Sequence, residues 1–279
     1  MRPRAKAETA GAVTRLAAIA LTSILTVCGP GVAQQSVTPK PATPQRAAAK
    51  SAPPAKPSAA ESTKCIGVVS AIGDTFHLRK IGITVFNNDS NTVPIESWQI
   101  DNLVISKIST FLSKSWTVRR VNYPKGAFSS LDEKHPLFYN YDDDLQGIVR
   151  GLSSSTRCDH YAVVVKGGSQ YSDTNQSLYG LGVLEIGAPL RTGDFIYALY
   201  SIRLYDGQTF AVLGRRDAVI EPPNLLNAFF KPIHGPYLGV DTSWWPETDA
   251  AKSAKLRDGI RSLVEKSLDV TMPMILRVE

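Results

Sequence analysis

Net charge is missing where the chain has the residues to build a core. The total is +6 over 279 residues. Eight of the 31 Lys/Arg but only two of the 25 Asp/Glu fall in residues 1–63, so 23 of each remain for 64–279. A neutral body excludes the electrostatic footprint of a nucleic-acid binder, and no nucleic-acid partner is predicted. Histidine is scarce, with four residues and no metal-ligand spacing among them; no metal or cofactor site is predicted. Long apolar runs are lacking too. The apolar core Leu16–Val27 falls well short of the roughly 20 residues that a membrane-spanning helix needs. No internal repeat is visible.

That short core follows a basic start (Arg2, Arg4, Lys6, Arg15) and precedes the small-residue triplet Gly31-Val32-Ala33. The pattern predicts a signal peptide over 1–33, cleaved after Ala33, and a periplasmic or secreted mature protein without a membrane span. Residues 34–63 hold six prolines, no aromatic residue and a single large aliphatic one, Val37. No apolar face is available to offset the entropy of ordering them, so a disordered Pro/Ala-rich linker is predicted, reaching ~90 Å if fully stretched. An alternative makes it a spacer behind a lipid anchor at Cys28, although Val27 stands where that signal wants a small residue. Residues 64–279 suffice for one domain of ordinary size.

Once the leader is removed, the remaining cysteines are Cys65 and Cys158. An even count in an oxidising compartment predicts a disulfide. Each cysteine precedes an apolar strand pattern, Ile66-Gly67-Val68-Val69 and Tyr161-Ala162-Val163-Val164-Val165, so two parallel neighbours starting level would bring both thiols to one sheet edge. The alternative is two unpaired buried thiols.

Along the chain, strands are predicted at 66–71 and, with a break near Arg79-Lys80, at 75–86, followed by a polar turn over 87–91. A helix is predicted at 97–114 from the stripe Ile100, Leu103, Val104, Ile108, Phe111 and Leu112. A strand covers 116–121, and a second helix carries Leu145, Ile148, Val149 and Leu152 behind the acidic start Asp142-Asp143-Asp144. Strands follow at 160–165, 179–187, 194–205 and 208–215. The 194–205 strand, bulky on both faces, is placed centrally, and Tyr205-Asp206-Gly207-Gln208 makes a hairpin turn. A last helix, 248–270, is stopped by Pro273. The sum is an α+β single domain: a mixed sheet with a long antiparallel meander and about three packed helices.

The strand, the helix ending in Phe111-Leu112-Ser113-Lys114, the strand Trp116-Thr117-Val118-Arg119-Arg120-Val121 and the meander turn Asp206-Gly207-Gln208-Thr209 together resemble the periplasmic α/β domain of envelope lipoproteins. The penicillin-binding-protein activators and the curli secretion channel subunit belong to that group. The segment Val68–Phe76 is also similar to the start of uncharacterised exported proteobacterial proteins. The resemblance implies a non-catalytic domain that contacts a cell-envelope protein or cell-wall component.

Asp74 and His77 in Gly73-Asp74-Thr75-Phe76-His77, joined by His160, are the catalytic candidates of an exported hydrolase. Neither the further Asp, Asn and His motifs of a metallophosphoesterase nor the Ser nucleophile of a GDS-type esterase accompanies them, so no catalytic residue is assigned. Asp142–Asp144 lacks the alternating ligands and central glycine of a calcium loop. Lys166-Gly167-Gly168-Ser169-Gln170 leads into a strand, not into the helix N-terminus that a phosphate loop needs. The aromatic, proline-rich passage Glu221–Trp245 is the predicted partner-binding surface, with Phe229, Phe230, Tyr237, Trp244 and Trp245 as anchors; the competing reading folds it back as a cap on the sheet. The functional expectation is a periplasmic non-enzymatic binding or scaffolding domain, with an exported hydrolase or a secreted effector as alternatives.

Overall fold

Strand β1 (Cys65–Ala71) carries apolar residues on both faces and is buried along its whole length. The computed structural model describes residues 64–82, 88–133, 139–172, 174, 176–188, 191–221, 232–246 and 249–276. All of them lie in one compact unit, Ser58–Glu279. The predicted signal peptide, linker, Cys28 anchor and cleavage after Ala33 lie outside the described residues, as do Phe229 and Phe230.

Continuing along the chain, the elements are β2 (Thr75–Ile81), β3 (Asp89–Pro94), α1 (Ile100–Leu112), β4 (Thr117–Arg120), α2 (Tyr141–Ser153) and β5 (His160–Lys166). A small hairpin, β6 (Gly168–Gln170) and β7 (Ser177–Tyr179), precedes β8 (Leu181–Ala188) and the short β9 (Arg191–Thr192). Then come β10 (Asp194–Ala198), β11 (Tyr200–Asp206), β12 (Val212–Asp217), β13 (Tyr237–Val240) and α3 (Ala254–Ile275). The fold is α+β, and its large strands form two mixed sheets. One has the order β12-β11-β5-β1-β4, with β1 parallel to β4 and β5; the other runs β13-β10-β8-β2-β3, with β2 parallel to β8.

The predicted central strand 194–205 is two strands. Its chain passes at Leu199 from one sheet to the other, because the Leu199 N–H donates to the Gly180 carbonyl while its own carbonyl accepts from the Gly167 N–H. Bulk on both faces is retained because each half is central in its own sheet. No break occurs at Arg79-Lys80, since β2 is paired on both sides, to β3 and to β8. Strand β3 replaces part of the predicted turn at 87–91. Its sequence Asp-Ser-Asn-Thr-Val-Pro lacks apolar alternation because it is an exposed edge. Strand β13 lies inside the aromatic, proline-rich passage Glu221–Trp245 and adds an edge to β10.

Helices α1 and α3 cover one face through Ile100, Val104, Ile108 and Leu112 on α1 and Leu256, Ile260, Leu263, Val264 and Leu268 on α3, stripes of 3–4 residue spacing. Helix α1 begins later than predicted, after Gln99 turns left-handed at φ 56°. Helix α2 covers the opposite face of the first sheet with Leu145 and Val149, and its N-terminus is capped by the Asn140 side chain, which accepts from the Asp142 and Asp143 N–H groups. Pro273 sits within the last turn of α3, which continues to Ile275. So close to the end a proline removes one helical hydrogen bond, and Met272 and Leu276 keep the stripe buried. Among the described residues no helix is long and apolar enough to cross a membrane.

At the N-terminal edge of the parallel pair, Cys65 and Cys158 are joined, with S–S 2.03 Å and Cα–Cα 4.8 Å. Asp159 locks the same corner: its carboxylate accepts from the Cys65 N–H at 2.7 Å and its N–H donates to the Cys65 carbonyl. Gly207 of the hairpin turn passes so close that an added Cβ would lie 2.0 Å from the Cys158 carbonyl oxygen, which excludes any side chain there.

Candidate functional site

The opposite, C-terminal ends of β1 and β5 open into a cleft of about 480 Å³, bounded by Ala71, Val165 and Lys166. Helix α1, which follows β1 in the chain, and α2, which precedes β5, lie on opposite faces of the sheet, and such a divergence leaves a crevice outside the carboxyl ends of the strands. The chain also leaves the first sheet here, by the Ile72–Asp74 turn after β1 and by Gly167 after β5.

Asp101, in the first turn of α1, holds the first exit. Its Oδ1 accepts from Ser70 Oγ at 2.6 Å, from the Ile72 N–H at 3.0 Å and from the Gly73 N–H at 3.3 Å. Burial pushes its carboxyl above the usual range against the pull of these three donors. The Tyr123 hydroxyl donates to the Ser70 carbonyl at 2.6 Å, and burial raises its pKa.

Lys166 closes β5, and its side chain is 4% exposed. Its ammonium stands 2.8 Å from Asp74 Oδ1 and 2.5 Å from Asp132 Oδ2. The Tyr179 hydroxyl donates to the other oxygen of Asp132 at 3.0 Å. Tyr123, Phe128 and Tyr141 add aromatic wall. At the rim, Lys125 pairs with Glu96 at 2.9 Å, and the Arg120 guanidinium donates to Asn102 Oδ1 at 2.5 Å. The arrangement suits recognition of a polar, charged ligand against an aromatic wall.

Of the residues singled out from sequence, Asp74 lies in this cleft, as does Lys166 of the 166–170 loop. His77 does not line it; the ring stands on β2 with Nδ1 3.1 Å from Thr92 Oγ1 and its edge toward Tyr179. His160 begins β5, whereas Lys166 ends it, so the two are separated by ~20 Å of extended chain. It packs edge-on against Trp116, ring centroids 4.9 Å apart. Asp74, His77 and His160 therefore do not assemble as one acid–base group. Among the described residues no group of three or more His, Cys, Asp or Glu is placed to hold a metal ion.

The aromatic passage folds back in its described part. Tyr237 is half-buried beside Phe195, and Trp244 and Trp245 pack half-buried against the core under α3. Trp244 lies so close to Gly259 that a Cβ there would come within 2.5 Å of its ring, and the Lys255 ammonium sits 4.9 Å from that ring on the outside. These three side chains are half-buried, each with one side against its neighbours. The site residues missed from sequence are Asp101 and Asp132, and Lys166 figures there only as the start of a phosphate-loop candidate. A lysine ending an otherwise apolar strand was the available signal, since a buried cation needs partners.

Burial, then the Lys166 ammonium, lowers the His77 pKa from its ordinary value of 6.5, against the opposing pull of Asp132 and Asp74. The folded state therefore binds fewer protons than the unfolded chain just below pH 6.5, and acidification through that window costs stability. Replacing His77 by Asn is expected to shrink the stability lost between about pH 7.5 and about pH 5.5 in urea titrations. An undiminished loss would show that the ring contributes nothing to it.

No protein-family model and no curated protein matches this chain. Among solved structures it is similar to Lipoprotein GNA1162 from Neisseria meningitidis, at 12% identity over 74% of this chain and 98% of that one, with a TM-score of 0.26. It is also similar to the LpoB C-terminal domain from Salmonella enterica, at 9% identity over 57% of this chain and 84% of that one, with a TM-score of 0.20. At such scores the site has to be read from its own residues.

Proposed function

We propose that this protein is an exported, non-enzymatic binding or scaffolding domain that contacts a cell-envelope protein or a cell-wall component through the cleft at the ends of β1 and β5. The cleft itself is the observation that supports this reading. It combines aromatic walls with a charged floor whose cation, Lys166, is already neutralised by Asp74 and Asp132, an arrangement for holding a polar group. The Cys65–Cys158 bridge supports the compartment, because such bonds persist where the environment is oxidising. A hydrolase site built on Asp74, His77 and His160 is less supported, since His160 begins β5 at the end away from Asp74.

Cross-linked capture from intact envelopes tests the reading, with the wild-type chain compared to a variant carrying Arg120→Glu and Lys125→Glu. Both side chains are exposed at the rim, so the fold should tolerate the change. The variant is expected to lose the captured component. Capture that is the same for both proteins, or recovery of the protein from the cytosol with its thiols open to alkylation, rejects the proposal.

A further inference from the structure

The cleft does not end at Lys166. Beyond the side chains of Tyr141, Lys166 and Tyr179, which it shares, a second hollow of about 300 Å³ is lined by Asp142, Ser201, Arg203 and Arg215. Arg203 is its floor. The side chain is 2% exposed, its guanidinium lies 5.0 Å over the Tyr141 ring, and one terminal nitrogen donates to Asp142 Oδ1. Its Nε has no hydrogen-bond partner. A guanidinium is always charged and offers five donors in a fixed fork suited to a carboxylate, so a buried one with an unmatched donor is under-satisfied.

The two hollows carry opposite charge. Over its whole lining the first sets Asp74, Glu96, Asp101 and Asp132 against Arg120, Lys125 and Lys166, an excess of one negative charge, and at its floor Asp74 and Asp132 face the ammonium of Lys166. In the second, the lining sets Lys166, Arg203 and Arg215 against Asp142, a positive excess that remains when Asp217, 3.6 Å from Arg215, is counted too. The N-terminus of α2, at Asn140–Tyr141, adds its partial positive charge on that side. Asp74 and Asp142 are each about half exposed, so both ends stay open to a ligand.

We infer that the two hollows form one bipolar site for a short peptide with a free ammonium and a free carboxylate. The ammonium lies against Asp74 and Asp132, the carboxylate against Arg203 and Arg215, and the chain between them crosses Tyr141 and Tyr179. This rests on the binding reading above and gives it a ligand class. The combined size falls in the range that holds small organic ligands.

Calorimetric titration of the full chain with trialanine, N-acetyl-trialanine and trialanine amide tests the assignment. Free trialanine is expected to bind saturably, and either cap to weaken it about tenfold, the loss of one charge-assisted contact. Arg203→Met should erase the difference between trialanine and its amide while keeping the penalty for acetylation, and Asp132→Asn should do the reverse. Because Arg203 is buried, Arg215→Gln, at an exposed position, serves as the second variant; it should weaken trialanine about threefold and leave the amide unchanged. Absence of saturable binding, or equal affinity for the three peptides, overturns the bipolar site. If envelope capture is still lost on reversing the rim charges, the binding reading survives that failure.

Discussion

Replacing Cys65 and Cys158 together by alanine is expected to lower the unfolding free energy by about 4 kcal/mol, the largest single effect foreseen for this chain. The two residues are 93 apart, so the bond closes a loop that holds β1, β2, β3, α1, β4 and α2. In the unfolded chain that loop is tethered, and cutting it releases conformational entropy that folding must then recover. The native contacts at the corner hardly change, because Asp159 still holds the Cys65 backbone from both its carboxylate and its N–H. A midpoint lower by about 2 M urea, with a slope no smaller than that of the wild type, is the expected reading. Wild-type protein treated with a reductant should move to the same midpoint. A shift below about 0.5 kcal/mol in both experiments would falsify the loop-closure account.

The second large effect concerns the floor of the cleft. Changing Asp74 and Asp132 to Asn leaves the Lys166 ammonium in place, 4% exposed, without either of its carboxylates. Breaking a buried pair from one side costs more than the pair itself contributes, because an uncompensated charge remains. A loss of about 2–3 kcal/mol is expected, toward the low end for such breaks, since both carboxylates are themselves partly in water. Adding Lys166→Met removes the stranded charge, and the triple variant should return to within about 1 kcal/mol of the wild type. Urea titration of the three proteins distinguishes this from a packing defect. A triple variant no more stable than the double one would mean that the loss is not electrostatic.

Several elements are legible locally because their signal is local. The stripe Ile100, Val104, Ile108 and Leu112 marks α1 within a few residues, and Leu256 to Leu268 marks α3. The twin patterns behind Cys65 and Cys158 place β1 beside β5, and the register Ile66 to His160 sets Cys65 level with Asp159, so the cysteines are one residue from level. Errors fall where local preference and tertiary pairing part. Asp89–Pro94 has no strand signal of its own and is ordered by β2. The run 194–206 has one unbroken strand signal, yet its hydrogen bonds divide it at Leu199. Pro273 reads as a stop, but losing one hydrogen bond does not outweigh a buried Met272 and Leu276.

By itself, the sequence determined the neutral balance of residues 64–279, the apolar faces of the three helices and the pair of cysteines at one sheet edge. Each is a matter of composition or of periodicity within a single element. Only the tertiary structure decided that there are two sheets, that Trp244 and Trp245 cap a core, and that Asp74 stands with Lys166, Asp132 and Asp101 instead of with His160. Those residues come from separated stretches of chain. What joins them is the shared C-terminal end of two parallel strands, and side-chain period says which face a residue takes but not which end of the sheet its neighbours will share.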